Sequence, residues 1–306
     1  MVSQDNFKYI HFCNSTLILN YNTKRLKKEC IHEIDKSIPF LKKILVKKNC
    51  PITTLKVKDC LFLNGIEHRE YTGIERNTFG EFMDILKENK SITGLELKGN
   101  YKRNEMIDLC DFLKENRYVK KLTLHIGADH YTGPVLESLV ETPIKYLDIR
   151  KNKIGCNSKH YFKKFLPMLL KLKYLDIREN DNENKCFQEF MVLSLQKNIF
   201  LEKVKIDSLT SENKEKIKNS LFENSVIHSF FIIFLKNYNI TEKDFLINKN
   251  NFISWLKKIE KCFRGVRGYD IKDYIHKKIH LRKIQEKKEF LKPILDKLNS
   301  FQKSFK

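Results

Sequence analysis

The chain has 306 residues, 41% hydrophobic and 32% charged, with a formal net charge of +21. That apolar share excludes a wholly disordered tail and is enough for a sizeable core. No apolar run approaches 18 residues, so no transmembrane helix is expected, and 10 Gly leave little room for glycine-rich phosphate loops.

Of the 59 basic residues 49 are Lys, a hydrated point charge rather than the planar fork that Arg offers to phosphates and bases. The charge therefore has two readings. It is the compositional bias of an AT-rich genome, or it addresses an acidic protein, an anionic membrane surface or nucleic acid. The eight Cys form no C-x-x-C pair and show no zinc spacing. They are expected to be reduced and mostly buried, which points to a cytoplasmic setting. Residues 1–6 lack the basic-then-apolar pattern of a signal peptide. The sequons at Asn14, Asn89 and Asn239 mean little without one.

Residues 1–50 come first. Leu17, Leu19 and Asn22 are spaced like a repeat, and 25–48 has the apolar period of a helix, with Leu26, Ile31, Ile34, Ile38, Leu41 and Leu45. This is a degenerate first repeat or an N-terminal cap. Residues 51–235 then carry a recurring apolar-x-x-apolar-x-apolar unit. It runs through Ile52/Leu55/Val57, Ile92/Leu95/Leu97, Val119/Leu122/Leu124 and Ile144/Leu147/Ile149. It continues through Leu172/Leu175/Ile177, Leu201/Val204/Ile206 and Ile227/Phe230/Ile232. The starts are 40, 27, 25, 28, 29 and 26 residues apart. The long first interval implies an inserted loop at 61–78.

Between the strands lie helical segments, of which 81–89 resembles 108–116. An apolar residue stands six positions before most strand starts (Val46, Leu86, Leu113, Leu166, Leu195, Leu221), and Asn follows it by three at Asn49, Asn89, Asn116, Asn198 and Asn224. Asn tolerates the left-handed conformation that ends a helix. Each unit reads as helix, Asn stop, short strand, turn.

This pattern resembles the leucine-rich repeat family, with its L-x-x-L-x-L-x-x-N/C-x-L consensus, and its period is most similar to the ribonuclease-inhibitor-like subclass. Leu147-Asp-Ile-Arg-Lys-Asn152-Lys-Ile154-Gly155 carries the likeness best. Cys60, Asn100, Asn152 and Asn180 fill the N/C position, which the resemblance implies turns inward to hold the backbone. Gly127, Leu209 and Leu235 depart from it. The implied fold is an α/β solenoid, or horseshoe, with a parallel concave sheet, outer helices and a C-terminal helical cap.

Side chains alternate along a strand, so the residues between the core positions face outward from the concave sheet. Two strands present the same outward set: Tyr146, Asp148, Arg150 and Tyr174, Asp176, Arg178. Their neighbours offer Glu96 and Lys98, then Lys121, Thr123 and His125, then Lys203, Lys205 and Asp207. Tyr and Arg are frequent anchors at protein interfaces. The plainer reading is a solvated ladder in which Asp148 and Asp176 pair with Arg150 and Arg178. The expected function is non-catalytic recognition of a protein partner.

Residues 236–306 hold 19 basic and 8 acidic residues, a net of +11. They read as helices at about 241–263, 270–288 and 290–304, a capping bundle on the last repeat. The basic stretch 270–292 is a second candidate surface, for anionic membrane or nucleic acid. His276 and His280 share a helix face, but Lys277 stands where a zinc helix needs Glu. Cys262 is followed by Phe-Arg rather than the x-Asp of certain bacterial ubiquitin ligases. No enzymatic constellation is visible, and no cofactor, metal or small-molecule substrate is expected. The combined style is similar to that of effectors which intracellular bacteria deliver into a host cytosol.

Overall fold

The computed structural model describes residues 10–20, 31–58, 78–140, 142–180 and 185–237, apart from the single residues 48, 100, 102 and 128. One eight-stranded sheet runs through them in strict chain order. β1 (Ile10–Cys13) and β2 (Thr16–Asn20) form an antiparallel hairpin. From β2 onward every pairing is parallel, through β3 (Thr54–Lys58), β4 (Gly94–Lys98), β5 (Lys121–His125), β6 (Tyr146–Asp148), β7 (Tyr174–Asp176) and β8 (Lys203–Lys205). Helices connect them: α1 (Ile31–Leu45), α2 (Thr78–Glu88), α3 (Arg103–Glu115), α4 (Thr132–Ser138), α5 (Lys159–Phe165), α6 (Lys185–Lys197) and α7 (Ser211–Asn237). Each helix touches the next, so the helices make one layer on one side of the sheet.

The spacing read from the sequence sets the strand register. Leu17, Leu55, Leu95, Leu122, Leu147, Leu175 and Val204 lie side by side across the sheet. All but Val204 are essentially inaccessible. Between this leucine row and the helices lie Phe79, Phe82, Phe112, Phe162, Phe187 and Phe190, also fully buried. The helices contribute stripes at 3.6-residue spacing, such as Met106, Leu109, Cys110, Phe112 and Leu113 on α3. No unit can bury its apolar face alone, and stacking joins them into one continuous core.

Two sets of asparagines tie the units together. Asn89, Asn116 and Asn198 follow helices, and each Oδ1 accepts the N–H groups two and three residues on. The Nδ2 groups of Asn89 and Asn198 donate to Leu45 and Leu166 of the preceding unit. The left-handed backbone expected of these three is absent. They turn the chain through their side chains instead, as Asx residues do.

The second set follows strands. Asn152 donates to the carbonyls of Leu124 and Ile149 at 2.8 Å and accepts the N–H groups of Ile126 and Gly127. Asn180 repeats this one unit later, donating to Ile177 and Ile149 and accepting from Asn152 and Ile154. Their inward, backbone-holding role is as the repeat pattern implies. The residue before them, Lys151 or Glu179, takes a positive φ of 61° or 56°.

The structure corrects the expected strand at 227–232: these residues continue α7, a 27-residue helix. It also adds β1, which the sequence did not announce. Cys60, Asn100 and the insertion at 61–78, except Thr78 in α2, lie outside the described residues. So do residues 25–30 and 238–306, which include the basic stretch 270–292, Cys262, His276 and His280.

Candidate functional site

Strand alternation leaves one face of the sheet free of the helix layer, and the paired strands bring together on it the residues expected there, except Arg150, Arg178 and Asp207, which lie past the paired positions. Its first row, read across the paired strands, is Gly94, Lys121, Tyr146, Tyr174 and Lys203. The second is Lys56, Glu96, Thr123, Asp148, Asp176 and Lys205. The third begins with Lys58, Lys98 and His125. Arg150 and Arg178 continue it just past the last paired residues of their strands.

The carboxylates of the second row are already engaged. Arg150 grips Asp148 with two bonds, Nε to Oδ1 at 3.0 Å and Nη2 to Oδ2 at 2.8 Å. From β5, Nε2 of His125 lies 3.0 Å from the same Oδ1 and must carry the proton there, since a carboxylate only accepts. Burial works against ionising Asp148, yet the hydrogen bonds from His125 and Arg150 hold its carboxyl far below the ordinary 3.8. Arg178 grips Asp176 in the same bidentate way, at 2.9 and 2.8 Å. The Tyr174 hydroxyl donates to Asp176 at 3.2 Å. Burial opposes ionisation here too, and the Arg178 bonds again lower the pKa.

Glu96 sits between Lys98 at 2.6 Å and Lys56 at 3.5 Å. Burial would raise its pKa, but the two ammonium groups lower it. At the rim, Arg150 also approaches Glu179 at 3.7 Å, and Lys151 reaches it at 3.2 Å. Lys56 and Glu179 were not singled out by sequence reasoning. Register alone marks Lys56, because it pairs with Glu96. Glu179 is placed by its left-handed turn, which the sequence does not signal.

The first row is different. Tyr146 is 48% exposed. Its ring stands 6.1 Å from that of Tyr174, and the Lys205 ammonium lies over Tyr174 at 5.8 Å. Lys121 and Lys203 flank the two rings with exposed side chains. The face thus presents aromatic surface and cations, with its carboxylates neutralised behind them.

Among the described residues no group of three or more His, Cys, Asp and Glu is placed to hold a metal ion. Burial pushes the Cys110 thiol up to about 11, despite an opposing hydrogen bond with Ser138. No described helix is long and apolar enough to cross a membrane.

No family model matches the chain, and no curated protein matches it. Among solved structures, leiomodin-1 actin-binding site 2 matches with a TM-score of 0.40 and 14% identity, over 67% of this chain and 97% of that one. The tropomodulin C-terminal domain of Caenorhabditis elegans matches with a TM-score of 0.33 and 11% identity, over 65% of this chain and 98% of that one. These likenesses are too distant to transfer what either protein binds.

Proposed function

We propose that this chain is a non-catalytic leucine-rich-repeat recognition protein of the ribonuclease-inhibitor-like kind, binding a protein partner through the open face of its sheet. The observation that carries this reading is the first row, Lys121–Tyr146–Tyr174–Lys203. Large amphipathic rings flanked by cations suit an interface centre. The ionised carboxylates beside them are held by Arg150, Arg178, His125 and lysines, so they position the face rather than act on a substrate. Charge complementarity favours an acidic segment as the partner. The lysine-rich composition, with cysteines expected to be reduced, suits action in a cytosol, in the manner of an effector delivered by an intracellular bacterium.

The test is affinity capture from eukaryotic lysate at low and high salt, comparing the natural chain with Tyr146→Asp and Lys121→Glu. Both positions are exposed, so neither substitution disturbs the core. Specific proteins retained at high salt by the natural chain and lost by both variants are expected. Nucleic acid or lipid lost at high salt, and unchanged by the variants, overturns the reading in favour of the basic stretch 270–292.

A further inference from the structure

The asparagine ladder has one defective rung. Asn89, Asn116 and Asn198 each use Oδ1 to receive two backbone N–H groups as the chain turns from helix into strand. Asn224 holds the same place in the sequence and is 2% exposed. Its Nδ2 donates to the Leu201 carbonyl of the preceding unit at 2.7 Å. Its Oδ1 is buried with no partner. The reason is local: α7 runs on, so the N–H groups of Val226 and Ile227 point back along the helix instead of toward Asn224. A buried acceptor left open is costly and uncommon.

Four further observations converge on this point. Helices α1 to α6 span 7 to 15 residues and α7 spans 27. Ending α7 at Asn224 would bring it into line with the rest. The residues beyond, Val226, Ile227, Phe230, Phe231, Ile232 and Ile233, are β-branched or aromatic, types that favour strand over helix. Leu221, Asn224, Ile227, Phe230 and Ile232 reproduce one for one the spacing of Leu195, Asn198, Leu201, Val204 and Ile206. Finally, among the described residues the far edge of β8 carries no strand, and an open edge is a template for pairing.

We propose that residues 227–233 exchange between the end of α7 and a further parallel strand on the free edge of β8, and that the strand form enlarges the open face. In the register of the other units, Phe230 pairs beside Val204 and Phe231 beside Lys205. The turn brings the N–H groups of Val226 and Ile227 to the Asn224 oxygen. Phe230 and Ile232 extend the core rows, and Ser229 and Phe231 join the open face next to Lys205. The helix satisfies its own backbone but strands Asn224; the strand satisfies both Asn224 and the edge. This exchange does not depend on what the open face binds.

The experiment replaces Lys205 in the full chain with the photo-crosslinker benzoylphenylalanine and maps the adducts by mass spectrometry. Adducts within 228–233 are expected, and Phe230→Asp should reduce them several-fold by removing the new core contact. Adducts confined to β7 and its turn overturn the proposal. Backbone Cα chemical shifts of 226–233 give a second reading on the unsubstituted chain. Strand-like or averaged values are expected, and fully helical values throughout the segment contradict it.

Discussion

Strands β6 and β7, each with the two residues that follow it, carry the same sequence, Tyr-Leu-Asp-Ile-Arg, and pair in register over Tyr-Leu-Asp, yet the two copies do not behave alike. Asp148 keeps 17% side-chain exposure and draws His125 from β5, whereas Asp176 keeps 4% and draws the Tyr174 hydroxyl from its own strand. Tyr146 stands 48% exposed, while Tyr174 is half-buried beneath Lys205. The neighbouring strand decides the difference: β5 brings an imidazole that reaches Asp148, and β8 brings an ammonium that covers a ring. Local sequence sets the face and its spacing, but lateral partners set how tightly each side chain is held.

The largest effect should come from the turns that end these two strands. Asn152→Ala leaves the Leu124 carbonyl and two N–H groups without the asparagine's bonds at a position 2% exposed, with only Asn180 still donating to Ile149, and should cost about 3 kcal/mol. Asn180→Ala breaks a similar set where water has access, and should cost about 2 kcal/mol. Urea denaturation of both variants measures the gap. Equal losses would show that exposure does not separate the two turns.

Next come the carboxylates. Asp148→Asn, whose carboxyl is held furthest below its ordinary range, and Asp176→Asn, at the more enclosed site, should each cost about 2 kcal/mol at neutral pH. Both carboxyls titrate below 3.8 in the folded chain. Their contribution is therefore fully present above that value and is lost as pH falls toward their folded values. The gap between each variant and the natural chain should shrink from pH 7 to pH 3. Denaturant midpoints at the two pH values check this, and a gap that holds constant would rule out ionised pairs as its source.

The core half of this molecule was legible in the sequence because it obeys a translation. Leu55, Leu95, Leu122, Leu147 and Leu175 need only recur at the right intervals to stack. The outward alternation of Tyr146, Asp148 and Arg150 follows from the pleat. The turn asparagines at 152 and 180 were legible for the same reason, since each repeats its neighbour's bonds. What stayed hidden depends on non-local partners. His125 sits 23 residues before the carboxylate it serves, and Glu179 reaches the network only through a left-handed turn. Residues 227–232 fit the repeat by spacing, but the structure carries the helix through them. There the local pattern and the continuing helical backbone compete, and spacing alone does not say which wins.

The smallest stability effect should separate the two tyrosines most cleanly. Tyr174→Ala removes a half-buried ring, its hydroxyl bond to Asp176 and its contact with Lys205, and should cost about 2 kcal/mol. Tyr146→Ala removes a ring with half its surface in water and no hydrogen bond to lose, and should change stability by about 0.5 kcal/mol or less. Binding should rank them the other way. A stable fold that has lost its partner is expected for Tyr146→Ala, because an exposed ring held between Lys121 and Tyr174 contributes little to the monomer and is free to be buried by something else. Thermal unfolding and captured-partner yield, measured on the same two variants, give four numbers. If Tyr146→Ala proves the more destabilising, the lateral-partner account of β6 and β7 fails. If it folds normally and binds normally, the first row is not the interface.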